Sequence, residues 1–253
     1  MYKAILAAGI CILGMTSLAS AQEKKEIVIA SEGAYPPFNF MDSSNKLQGF
    51  DVEIANALCE KMQVKCTIVA QDWDGMIPAL LAKKFDAIVA SMTITEERKK
   101  QIDFTDRYYR TPLSVAVPKE SEIKDTTAAS MKGMAVGAQS STTQAIHAED
   151  VYGKAGADAK LYPTQDEANA DLANGRLDAV VADKFVLVEW LKNTGKDCCK
   201  LLGDIEGTMS EAGIAIRKED KELKERFNKA IKDIVADGTY QKIQSKYFEF
   251  DIY

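Results

Sequence analysis

Two stretches decide how this chain is read: DGMIPALLAKKFDAIVAS at residues 74–91 and DEANADLANGRLDAVVAD at residues 166–183. They align without gaps at an offset of 92, and six of 18 positions are identical: Asp74/Asp166, Leu80/Leu172, Asp86/Asp178, Ala87/Ala179, Val89/Val181 and Ala90/Ala182. Each copy reads as a helix, a tight turn (Lys83-Lys84 or Gly175-Arg176) and a buried strand. Any helix–turn–strand unit shares leucine, alanine and aspartate, so the echo alone leaves coincidence open. If it is structural, it predicts two lobes of similar topology. Ser91 and Asp183 then sit at equivalent points just past a strand's carboxyl end, where open α/β sheets bind ligands.

The surrounding pattern agrees with that expectation. Apolar runs predict strands at Ile27–Ala30, Cys66–Val69, Ala87–Ala90, Leu113–Pro118, Met134–Gly137, Asp178–Val181 and Gly213–Ile216. Helical periodicity between them covers Phe50–Met62, Gly75–Lys83, Thr143–Tyr152, Asp166–Asn174, Lys184–Lys192 and Asp220–Asp237. Strands alternating with helices of this length imply an α/β fold with largely parallel sheets.

Composition narrows the function. The 253 residues carry 32 basic against 38 acidic side chains, a formal −6, so no basic face is expected for nucleic acid. A single histidine, His147, leaves little for a catalytic imidazole or a histidine metal cage. Met1-Tyr2-Lys3, the apolar run Ala4–Leu18 and Ala19-Ser20-Ala21 read as a secretory signal peptide over 1–21, cut before Gln22. Its removal takes away Lys3 and shifts the formal charge to −7, and no later segment is long and apolar enough to span a bilayer. Cys11 leaves with it, so Cys59, Cys66, Cys198 and Cys199 remain in an oxidising compartment. A Cys59–Cys66 bridge would staple a helix to the next strand, worth roughly 2–3 kcal/mol on the chain-entropy model. The adjacent pair Cys198-Cys199 is open between buried thiols, a vicinal disulfide and unpaired cysteines.

Six segments, in order, carry a family resemblance: YPPFNF (35–40), GFDVEIANALCEKMQVKC (49–66), DWDGMIPALLAKKFDAI (72–88), TITEERKKQIDFTDRYY (93–109), GRLDAVVAD (175–183) and DGTYQKIQSKYF (237–248). The chain resembles the periplasmic amino-acid-binding proteins of ABC importers, which include the lysine/arginine/ornithine, histidine and glutamine binders. The resemblance implies the two-lobed type II periplasmic binding protein fold, or Venus flytrap. Each lobe would be a mostly parallel sheet flanked by helices. Lobe 1 would comprise 22–108 and 213–253 and lobe 2 113–207, with hinges at 109–112 and 208–212. It also implies the Cys59–Cys66 disulfide, a periplasmic location, a monomer, and partners that are a free L-amino acid and the permease subunits in the inner membrane. No catalytic residue, cofactor, metal or nucleic acid is expected.

A free amino acid presents a carboxylate, an amine and a side chain, and burying its charges is costly unless they are paired. Arg98, in Thr93-Ile94-Thr95-Glu96-Glu97-Arg98, can grip a carboxylate through two parallel hydrogen bonds. Taken alone it reads as a surface arginine; the resemblance at TITEER makes it a ligand clamp. Asp183 could cap the helix that begins at Lys184; by resemblance it holds the α-ammonium. Ala90, Ser91, Met92 and Thr93 complete the lobe-1 set, and Gln139, Thr142, Thr143 and Gln144 come from lobe 2. Ser141 stands where relatives usually have glycine, which puts the local backbone path in question. Tyr35 and Trp73 can sandwich an alkyl stem or a guanidinium, and Glu32 would meet a distal amine. Arg98, Asp183 and Glu32 give the pocket a formal −1, which points to arginine, lysine, ornithine or histidine. Glutamine, cystine or an opine is the alternative ligand, and a periplasmic cyclohexadienyl dehydratase the alternative activity.

Overall fold

The computed structural model describes residues 26–253 and comprises thirteen strands and eight α-helices. The expected signal peptide lies outside the described residues. The strands are β1 (Glu26–Ser31), β2 (Ala34–Tyr35), β3 (Asn39–Met41), β4 (Leu47–Gln48), β5 (Lys65–Ala70), β6 (Ala87–Ile88), β7 (Asp103–Thr111), β8 (Leu113–Pro118), β9 (Ala135–Gln139), β10 (Asp158–Tyr162), β11 (Ala179–Asp183), β12 (Cys199–Asp204) and β13 (Ser210–Ile216). The helices are α1 (Phe50–Lys61), α2 (Met76–Leu81), α3 (Glu96–Lys99), α4 (Thr143–His147), α5 (Gln165–Ala173), α6 (Lys184–Lys192), α7 (Lys221–Ala236) and α8 (Thr239–Gln244).

Two five-stranded sheets form the lobes, in the orders β5-β1-β6-β13-β7 and β10-β9-β11-β8-β12. In the first, β1 runs parallel to β5 and β6, and β13 is antiparallel to both β6 and β7. In the second, β9 runs parallel to β10 and β11, and β8 is antiparallel to both β11 and β12. Each sheet therefore has one reversed strand, next to its central one. The echo is structural: its two copies supply α2 with β6 and α5 with β11, the third strand in each order. A small antiparallel sheet, β2-β3-β4, is added to lobe 1.

Helices cover both faces of each sheet, which explains why the central strands are apolar on both sides. In lobe 1, Ile27, Ile29, Ile214 and Ile216 pack with Phe50, Ile54 and Leu58 of α1 and with Phe227 and Ile231 of α7. On the other face Ala30, Ile88 and Ala215 pack with Met76 and Leu80 of α2. Lobe 2 repeats this, with Val136 and Val181 against Ala145 and Tyr152, and Val180 and Ala182 against Leu172 and Leu187. Among the buried residues of α1, Phe50, Ile54, Ala55 and Leu58 have the spacing of one helix face. Gly49 starts that helix at φ 115, and a Cβ there would lie 2.4 Å from the Phe38 carbonyl oxygen, so only glycine fits.

The chain crosses between the sheets twice, from β7 into β8 through Pro112 and from β12 back into β13. These crossings are paired rather than loose: Thr111 faces Ser210, Arg110 faces Glu211 and Tyr109 faces Ala212. Cys59 and Cys66 are bridged, joining α1 to β5 with Cα atoms 6.1 Å apart. Cys198 and Cys199 are also bridged, as a vicinal disulfide at the start of β12. Among the described residues no helix is long and apolar enough to cross a membrane.

Candidate functional site

A cavity lies between the lobes, lined by Glu32, Tyr35, Trp73, Ala90, Ser91, Thr93, Arg98, Gln139, Thr142, Gln144 and Asp183. Eleven of the thirteen residues expected from sequence thus converge. Two do not line it. Met92 is 1% exposed and packs in the apolar cluster with Met76, Leu80 and Ile102. Its neighbours Ser91 and Thr93 take the cavity side. Thr143, the first residue of α4, turns its hydroxyl to Gln144 Oε1 at 3.1 Å.

Arg98 is carried by α3, whose first turn is capped by Thr95 Oγ1 accepting from the Arg98 amide at 3.1 Å. Its Nη1 donates to the Thr93 carbonyl (2.8 Å) and its Nη2 crosses to the Ser141 carbonyl (3.1 Å). Burial lowers its pKa to about 10, which leaves it cationic at neutral pH. The Trp73 ring lies 5.3 Å from this guanidinium, so its cation–π partner is the protein's own arginine. The Trp73 indole N–H also donates to the Ser141 carbonyl (3.3 Å). Ser141 takes the left-handed φ of 58° that glycine would adopt there, and this turn presents its carbonyl to the opposite lobe.

Asp183 ends β11 at the position preceding α6, yet its carboxylate does not cap that helix. It instead accepts from Gln144 Nε2 at 2.9 Å and hydrogen-bonds with the Tyr35 hydroxyl. Burial raises its pKa to about 7, against the opposing pull of the Tyr35 bond and of Arg98. Gln144 Nε2 also reaches the Tyr35 hydroxyl (3.1 Å), joining the two lobes. Glu32 follows β1 and accepts from Gln139 Nε2 at 2.6 Å. Its pKa too is raised to about 7, chiefly by burial, with Asp166, Asp72 and Asp74 adding to the shift and the Gln139 bond opposing it. Thr142 is a helix cap: its hydroxyl accepts from the Ala145 amide (3.0 Å) and donates to the Gln139 carbonyl (2.6 Å).

The decisive property is the charge arrangement. Arg98 from one lobe and Asp183 from the other face the same cavity, and neither forms a salt bridge among the described residues. Glu32 is likewise without a cationic partner. Such charges suit a ligand that brings its own complement. Sequence reasoning missed Asp51, which accepts from Ser91 Oγ (2.9 Å) directly behind the cavity wall. Its signal was faint, because an aspartate in the first turn of a helix also reads as a complement to the helix dipole. Among the described residues no group of three or more His, Cys, Asp or Glu could hold a metal.

Comparison with known proteins places this geometry in context. The chain is 42% identical to the L-arginine-binding protein of Pseudomonas aeruginosa, over 99% of this chain and 98% of that protein. It is 39% identical to the lysine/arginine/ornithine-binding periplasmic protein of Escherichia coli, over 100% and 99%. Among solved structures it is similar to an ancestral arginine-binding protein bound to arginine (TM-score 0.84, 38% identity, 89% of this chain and 99% of that one). It is also similar to an ancestral amino-acid-binding protein described as a precursor of cyclohexadienyl dehydratase (TM-score 0.81, 32% identity, 89% and 96%). The family model of the bacterial extracellular solute-binding proteins, family 3, matches residues 27–250. The chain belongs to that family.

Proposed function

We propose that the interlobe cavity binds the zwitterion of a basic L-amino acid and that the protein, acting as a single copy in the periplasm, delivers it to the permease of an ABC importer. The observation that carries this reading is the pair of opposed, unpaired charges, Arg98 and Asp183, one on each side of the cavity. Arg98 would hold the ligand carboxylate through the two-pronged hydrogen bonding that a guanidinium favours. Asp183 would hold the α-ammonium, and Glu32 a distal cation. The names of the relatives point to the same ligand class.

Arg98 and Trp73 of lobe 1 both donate to Ser141 of lobe 2, so groups that hold the ligand would also hold the lobes together. Closure would be a ligand-driven population shift about the paired crossings at 109–112 and 208–212. The role is binding without turnover: the clamp described above holds the α-ammonium and carboxylate that an amino acid retains through transport.

A thermal-shift panel tests the ligand. Arginine, lysine, ornithine and histidine should raise the melting temperature more than glutamine or cystine at equal concentration. A larger shift with the neutral ligands would overturn the assignment of a cationic side chain. Prephenate and arogenate should be recovered unchanged; their turnover would make the protein a dehydratase. Mass spectrometry of the exported protein should show an N-terminus at Gln22.

A further inference from the structure

Behind the lobe-1 wall of the cavity lies a buried carboxylate outside the ligand set. Asp51, in the first turn of α1, is fully buried and accepts three hydrogen bonds. Asn39 Nδ2 (2.8 Å) and Ser91 Oγ (2.9 Å) donate to its Oδ2, and the Tyr108 hydroxyl donates to its Oδ1 (2.8 Å). No cation pairs with it among the described residues. A buried carboxylate is tolerated only when its lone pairs are filled, and here three neutral donors fill them. Burial raises its pKa to about 6, against the bonds from Tyr108, Asn39 and Ser91, so above neutral pH it is ionised.

An ionised carboxylate only accepts, so Ser91 must be the donor in their shared bond. A hydroxyl has one proton and two acceptor sites. With its proton committed to Asp51, Ser91 faces the cavity with lone pairs alone. Its position is fixed as firmly as its polarity. Its backbone is left-handed at φ 55°, and its amide donates to the Tyr108 hydroxyl (2.9 Å), the same group that donates to Asp51. Asn39 extends the network, because its Oδ1 accepts from the Gly33 amide (2.8 Å) in the turn between Glu32 and Tyr35.

We propose that Asp51 is a positioning residue that sets the hydrogen-bond polarity of the cleft. It makes Ser91 an acceptor for the ligand's α-ammonium, alongside Asp183, and so fixes which way round the amino acid lies. The proposal rests on the amino-acid reading above, and it places the ammonium, not the carboxylate, against Ser91.

Calorimetry at pH 8 with L-arginine and with 5-guanidinopentanoate, which lacks only the α-amine, tests it. If the wild type binds none of arginine, lysine, ornithine and histidine, the amino-acid reading itself fails; if it binds another of these instead of arginine, that amino acid and its des-amino analogue take arginine's place. Given that binding, Asp51→Asn supplies an amide that can donate, freeing Ser91 to turn its proton inward against the ammonium. Arginine affinity should then fall about 10- to 30-fold while the des-amino analogue changes by less than about twofold. Asp51→Asn in a Ser91→Ala background should cost little beyond Ser91→Ala alone. Equal losses for both ligands, unchanged arginine affinity, or a full Asp51→Asn effect without the Ser91 hydroxyl would overturn it. Ser91→Ala keeps the test open should Asp51→Asn fail to fold: an equal loss for both ligands in that variant also refutes the proposal.

Discussion

Replacing Glu32 with glutamine should separate the cationic part of recognition from the rest. The side chain keeps its shape and can still accept from Gln139, whose amide now lies 2.6 Å from Glu32 Oε1. What is lost is the charge that would face a distal guanidinium or ammonium. Hydrogen bonds to charged groups are worth about 1.5–3 kcal/mol and neutral ones about 0.5–1.5 kcal/mol. The difference, about 1–2 kcal/mol, corresponds to roughly a 5- to 30-fold weaker Kd for arginine. Citrulline has the same skeleton with a neutral ureido end, so its affinity should change by less than about threefold. Acidity gives a second readout. The Glu32 carboxyl is raised to about 7 by burial, and a ligand cation beside it would lower that value. Binding below about pH 7 must then expel the Glu32 proton, which by itself lowers arginine affinity by at most about tenfold per pH unit. Asp183, also raised to about 7 by burial, would act on every α-amino acid alike and cancel in the arginine-to-citrulline ratio. Calorimetry at pH 6 and pH 8 should show that ratio rising with pH in the wild type and flat in Glu32→Gln. An unchanged arginine Kd in the variant, or the same pH slope, would refute the assignment of Glu32.

Arg98→Ala should weaken every amino-acid ligand by at least about a hundredfold, and Arg98→Lys should recover only part of that, because an ammonium lacks the two-pronged geometry; equilibrium dialysis with labelled arginine measures both. Replacing Cys59 and Cys66 together by serine should lower unfolding stability in urea by about 2–3 kcal/mol, with arginine affinity within about twofold of wild type. Saturating arginine should reduce the radius of gyration in small-angle scattering; an unchanged radius would argue against ligand-driven closure.

The echo of 74–91 in 166–183 made the architecture legible because its strands are central and apolar on both faces; six of the seven strands read from sequence are interior to their sheets, and the seventh, β5, is an edge strand betrayed by the β-branched run Thr67-Ile68-Val69. Others were hidden for a shared reason. β10 lies at a sheet edge and β7 and β12 do too, and their sequences carry Asp, Arg or Lys among the apolar residues, which blurs the alternation that marks a strand. Within the site, Arg98, Asp183 and Glu32 stood out through motif and charge. Met92 was misjudged because it sits between two cavity residues, yet a side chain flanked by Ser91 and Thr93 faces the opposite way. Asp51 was hidden for a different reason. Its partners Asn39, Ser91 and Tyr108 come from three separate segments, and only the folded chain brings them to one carboxylate.

In the proposed complex an amino acid lies between Arg98 and Asp183 with its side chain toward Glu32. A crystal structure of the protein grown with L-arginine tests this most directly. The ligand carboxylate should lie on the Arg98 guanidinium, the α-ammonium between Asp183 and Ser91, and the ligand guanidinium on Glu32. Arginine bound in the reverse orientation, or outside the interlobe cavity, would contradict it.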